Sequence, residues 1–197
     1  LSKTSIGDAG AAALSDALKS NSTLEELGLW NNHIGAVGAQ SLADMLQFNR
    51  ALNSINLLNN DLGEGAAAVV AAAKQNSNIK TLCGIEEGED KVSFFNNGLK
   101  APDAVLLSFD LEFNRALTSV NLLQNDLGDG AAAIVAAAKQ QGKIKTLCGI
   151  KQGQSEFKHN GFDMGYLQAS DAVLLSFDLE FNRALKNANL AGNRIGD

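Results

Sequence analysis

A chain of 197 residues, 45% hydrophobic and 19% charged, has the apolar content for a buried core and does not read as a disordered segment. Its net charge of −6, with no visible basic stripe, argues against nucleic acid, because neutralising phosphates takes clustered Lys and Arg. The longest apolar runs fall well short of the ~18 residues that span a bilayer, and no signal peptide opens the chain. Leu1 is not a natural start, so a processed leader or an upstream region stays open.

Taken in chain order, the first element is a helix following Thr4-x-Ile6-Gly7, with Gly10, Ala11 and Leu14 on one face. A fuller pattern comes next. Leu24-x-x-Leu27-x-Leu29-x-x-Asn32-x-Ile34-Gly35 alternates with period two, as a short strand with one buried face does. It is followed by Gly38-Ala39-x-x-Leu42-Ala43-x-x-Leu46, the spacing of an amphipathic helix. The next copy runs Leu52-x-x-Ile55-x-Leu57-x-x-Asn60-x-Leu62-Gly63, and another runs Leu117-x-x-Val120-x-Leu122-x-x-Asn125-x-Leu127-Gly128. The chain ends inside a further one, Leu185-x-x-Ala188-x-Leu190-x-x-Asn193-x-Ile195-Gly196. Unit starts at Leu24, Leu52, Ile79, Leu117, Ile144 and Leu185 are 28, 27, 38, 27 and 41 residues apart.

In the 38-residue unit, Ile79–Ile85 and Val92-x-Phe94-x-x-Asn97-x-Leu99 both fit a strand but leave no room for a full coil between them. Val92–Leu99 is favoured as the ladder strand because it carries an Asn, and a hairpin over residues 86–91, turning at Gly88, accounts for the other. The matching stretch at 151–168 has an ambiguous register. Asp103–Phe113 and Asp171–Phe181 share one eleven-residue string, so the duplicated unit is a short coil plus a long one, at 51–115 and 116–183.

The Asn after each strand serves the backbone, because its amide satisfies groups of the turn that would otherwise be buried without partners. Asn32, Asn60, Asn97, Asn125 and Asn193 are expected to stack as a ladder. The strand–Asn–helix string resembles the leucine-rich repeats of the ribonuclease-inhibitor-like class, found in ribonuclease inhibitors, NOD-like receptors and the GTPase-activating protein for Ran. The resemblance covers essentially the whole chain. It implies an α/β solenoid over 1–197, a horseshoe with parallel strands on its concave face and helices on its convex face. It also implies a eukaryotic setting. Both ends fall mid-unit with no polar cap, the pattern of a fragment of a longer array or of ends covered by a partner.

Catalytic templates find no support. His33 and His159 are the only histidines, with His33 read as a solvated loop residue, and no zinc-hydrolase, Cys-x-x-Cys or Gly-x-Ser-x-Gly motif occurs. Gly63-x-Gly65 and Gly128-x-Gly130 extend to no phosphate or dinucleotide loop. Asp126 and Asp129 are too sparse for an EF-hand and read as helix N-terminal charges. No cofactor or metal is expected. Cys83 and Cys148 sit in identical Lys-Thr-Leu-Cys-Gly-Ile strings and are read as reduced, which fits an intracellular setting, the cytoplasm expected before an organelle.

The working surface is expected on the strands. Extending the alternation past each strand lines up Trp30, Leu58, Leu123 and Ala191, with Ile85 and Ile150 in like positions. Beside them run Gly28, Asn56, Cys83, Asn121, Cys148 and Asn189, then Glu26, Ser54, Thr81, Ser119, Thr146 and Asn187, a nearly uncharged face. The apolar row has two readings, an interface anchored by Trp30 or a row covered by loops and serving the core. The second candidate surface is the pair of extra loops, acidic at Glu86-Glu87 and basic-polar at Lys151-Gln152. The expected function is non-catalytic: a scaffold or assembly subunit holding a protein partner. The alternatives are the sensing segment of a NOD-like receptor and a Ran-activator-like GTPase regulator.

Overall fold

The computed structural model describes residues 1–159, 161 and 165–195. Gly196 and part of the 151–168 stretch lie outside the described residues. Helices and three-residue strands alternate: α1 (Gly7–Leu18), β1 (Glu26–Gly28), α2 (Ala36–Leu46), β2 (Ser54–Asn56), α3 (Gly65–Gln75), β3 (Lys91–Ser93), α4 (Ala101–Phe113), β4 (Ser119–Asn121), α5 (Gly130–Gln141), β5 (Glu156–Lys158), α6 (Ala169–Phe181) and β6 (Asn187–Asn189). This is an α/β chain whose element order is compatible with a repeat solenoid. Its residues form two units, 1–87 with 105–114, and 88–104 with 115–197.

In the first unit β1 and β2 are parallel, with Glu26 opposite Ser54 and Gly28 opposite Asn56. Thr81 and Cys83 then bridge to Ser54 and Asn56, which extends the ladder by one coil. Leu27, Ile55 and Leu82 of the ladder, Leu42 and Leu46 of α2 and Val69 of α3 are all buried and make up this unit's core. Alanine, the strongest helix former, fills α3 and leaves its sides slim. A Cβ on Gly65 would lie 2.5 Å from the Ala39 Cβ and 2.9 Å from the Ala36 carbonyl oxygen, so only glycine lets α3 start this close to α2.

The second unit repeats the arrangement. β3 and β4 are parallel, with Lys91 opposite Ser119 and Ser93 opposite Asn121, and Thr146 and Cys148 bridge to β4. β5 and β6 form a further parallel pair, with Glu156 opposite Asn187. Gly130 meets the Ala104 Cβ as Gly65 meets Ala39, at 2.5 Å.

The expected hairpin over residues 86–91 is not what the chain builds. Thr81 and Cys83 bridge inside the first unit and Lys91–Ser93 pairs as a strand inside the second, so both candidate segments join a ladder, the first by single bridges. The reason lies in the N–H groups that a hairpin would need. Asp110 takes the N–H of Leu82, and the Thr81 hydroxyl takes those of Cys83 and Ile85. In the 151–168 stretch, Glu156–Lys158 is likewise a ladder strand. Among the described residues no helix is long and apolar enough to cross a membrane.

Candidate functional site

The strand faces are positioned by buried polar side chains that hold successive coils together. Asn60 Oδ1 accepts the N–H groups of Asn32 and Ile34, at 2.9 and 3.1 Å, while its Nδ2 donates to the carbonyls of Leu29 and Leu57. Asn125 does the same in the second unit, accepting from Asn97 and Leu99 and donating to Phe94 and Leu122. Asn32 accepts from Thr4 and Ile6, and Asn193 accepts from Leu167 and donates to His159. Asn97 is an exposed residue whose backbone N–H is one of the two that Asn125 accepts.

Two further sets of polar anchors escaped the sequence. Just past the C-terminal ends of α2 and α3, Asn49 Nδ2 donates to Leu18 and Asn21, and Asn76 Nδ2 donates to Leu46 and Asn49. Inside each unit a helix carboxylate ends the last bridge. Asp110 accepts the Thr81 hydroxyl and the N–H groups of Leu82 and Cys83; Asp178 accepts the Thr146 hydroxyl and the Leu147 N–H. Burial pushes both carboxyls from 3.8 to about 6 against these hydrogen bonds. The signal was present, since Asp110 follows Leu106 and Leu107 at helical spacing and so lies on the buried face.

The first unit's strand face forms a groove of about 580 Å³. Gly28, Ser54, Asn56 and Thr81 line its floor, and Glu26, Lys80, Glu86 and Glu87 its rim. Gly84 closes one side with φ +69, its Cβ position 2.8 Å from Asn56 Nδ2, a conformation and a spacing that suit glycine alone. The groove is therefore not the nearly uncharged face expected, because folding sets Lys80, Glu86 and Glu87 beside the strand that carries Glu26. All four rim side chains are exposed, and among the described residues none of the three glutamates is in an ion pair. Such an arrangement offers charge and hydrogen-bonding groups, and its one hydroxyl paired with a carboxylate, Thr81 on Asp110, is buried and spent on the backbone of its own turn.

The apolar row is overturned as an exposed surface. Leu58 is 2% exposed, Leu123 3%, Ile85 5% and Ile150 3%, so all four belong to the interior. The strands stop at Asn56 and Asn121, whose side-chain Oδ1 atoms accept the N–H of Leu58 and Leu123, two residues on, at 3.2 Å. This Asx turn ends the period-two alternation and swings the leucine inward. Thr81 and Thr146 do the same for Ile85 and Ile150. Trp30 stays half-buried, with the Lys3 ammonium 4.5 Å above its ring.

Asn56 and Asn121 are half-buried on their strand faces, and Glu86, Glu87 and Lys151 are exposed on their loops. Of the named candidates, Asn56, Ile85, Glu86 and Glu87 meet at one groove. Both histidines follow strands, but they differ: His33 is exposed, whereas His159 is buried beside Gln124 Nε2 and the Gly165 carbonyl. Cys83 and Cys148 are buried thiols outside any disulfide, and burial, with the charges of Asp178 and Asp171, pushes the Cys148 thiol up. Comparison with protein-family models and with curated proteins finds no match.

Proposed function

We propose that the chain is a leucine-rich-repeat module of the ribonuclease-inhibitor-like class, coiled as a horseshoe, that works without catalysis by holding a protein partner on the strand face of its first unit. The observation that carries this reading is the groove itself. Its polar floor, Gly28, Ser54 and Asn56, sits on a ladder whose buried groups are held by Asn32 and Asn60. A rigid scaffold that presents an open polar face binds with little ordering cost. Reduced, buried thiols suit an intracellular setting.

The reading is tested by affinity capture and mass spectrometry, comparing the native chain with Gly28→Gln/Ser54→Gln, which fills the floor without changing its charge. Proteins held by the native chain and lost from the variant, at an unchanged unfolding midpoint, support it. The same proteins on both chains overturn it.

A further inference from the structure

We propose that the groove of the first unit docks a basic, extended peptide segment of its partner, and that the corresponding face of the second unit, built on the same scaffold, refuses it. The proposal rests on the interaction reading above and deepens it. The two faces are built alike. Ser54, Asn56, Thr81 and Gly84 recur 65 residues later as Ser119, Asn121, Thr146 and Gly149, with the same strand register in each unit. The hydrogen bonds of Asn56 and Thr81 recur with them, at Asn121 and Thr146.

The rim does not recur. Glu26 is replaced by Lys91, Glu86 by Lys151 and Glu87 by Gln152, while Lys80 is kept as Lys145. All these side chains are exposed. Over these four positions, three carboxylates and one ammonium leave the first rim with two negative charges in excess; the second carries three ammoniums and no carboxylate, with the Asp90 carboxylate 3.9 Å from the Lys91 ammonium. Ser54, Asn56, Thr81 and Gly84 are the same in both copies, while Gly28 of the floor is Ser93 and Asn53 is Thr118 in the second; the strand register is kept through all of these changes, so the fold does not require the change of rim charge. Drift of a solvated surface scatters charge, but here three positions around one groove move in the same direction together.

Among the described residues Glu26, Glu86 and Glu87 form no ion pair, and the single ammonium on their rim, Lys80, offsets one of the three charges, which leaves the excess field to an incoming group. Their complement is a Lys or Arg side chain, and the polar floor at Ser54 and Asn56 suits the backbone of an extended chain between them. An inverted rim on the second unit then supplies selectivity, because like charges against the wrong face are strongly unfavourable.

The test is fluorescence anisotropy of a labelled short peptide of alternating Arg and Ser, beside its Glu-Ser counterpart, on the intact chain. The Arg-Ser peptide is expected to bind and to weaken at least about tenfold with Glu26→Lys/Glu86→Lys/Glu87→Gln, and also on raising salt from ~0.05 to ~0.3 M. The variant Lys91→Glu/Lys151→Glu/Gln152→Glu is expected to gain a second site for the same peptide. No binding of the Arg-Ser peptide, or equal binding by the native chain and the first-unit variant, overturns the proposal. So does sedimentation showing that the first-unit variant abolishes a dimer, which would make a second copy of the chain the occupant. If the Arg-Ser peptide fails while Gly28→Gln/Ser54→Gln still strips captured proteins, the interaction face stands and the basic occupant falls. If capture is also indifferent to the floor, both fall.

Discussion

Asp110, on α4, accepts a hydrogen bond from the hydroxyl of Thr81, and the pair joins a helix to the end of the ladder inside the first unit. The Thr81 oxygen in turn accepts the N–H groups of Cys83 and Ile85, at 3.1 and 3.0 Å. One carboxylate and one hydroxyl thus serve the backbone groups that a neighbouring strand would otherwise satisfy. The second unit repeats this with Asp178 and Thr146.

This relationship makes stability depend on pH. Burial holds the Asp110 carboxyl at about 6 in the folded chain, above its ordinary 3.8, so the folded state binds the proton more tightly. The stabilisation it contributes is fully present below about pH 4 and is lost as pH rises through about 6. Urea midpoints of the native chain and Asp110→Asn, measured from pH 4 to 8, should diverge by an amount on the order of 2–3 kcal/mol across that window. The native chain loses the larger share as pH rises; a pH-independent difference between the two contradicts the assignment.

Removing a ladder amide leaves buried backbone groups without partners. Asn60→Ala strips two N–H groups of their acceptor and two carbonyls of their donor, and Asn125→Ala does the same in the second unit. Each should lower stability by about 1–3 kcal/mol in denaturant titrations. An unchanged midpoint would rule out the ladder as a stabilising feature.

Leu58→Ala and Leu123→Ala test whether the apolar row belongs to the interior. Both side chains are almost wholly buried, so each truncation should cost about 2–5 kcal/mol and lower the thermal midpoint. A surface row would lose partner binding at constant stability instead.

Gly65→Ala and Gly130→Ala introduce a Cβ where an alanine Cβ of the neighbouring helix already stands 2.5 Å away. Each should destabilise by about 1–3 kcal/mol, since the contact is with short side chains and backbone that have no room to give. Gly88→Ala meets nothing within 4 Å, and its cost should be confined to its left-handed backbone. Thermal melts of the three variants separate close packing from backbone strain.

The sequence by itself determined the alternation of strand and helix, the places of Asn32, Asn60 and Asn125, and the duplication. Each of these is a local regularity: hydrophobic period, a turn residue at a fixed offset, or a repeated string. It also carried the signal of Asp110 as an apolar-face position holding an acid, without naming the partner, since Thr81 lies 29 residues back. What only tertiary structure decided was direction and neighbourhood. Leu58 turns inward because Asn56 captures its N–H, an event at the strand end that alternation does not encode. Glu26 faces Glu86 and Glu87 across one groove because the register Glu26–Ser54–Thr81 stacks three coils, and a rim assembled from separate coils has no signature within any one of them.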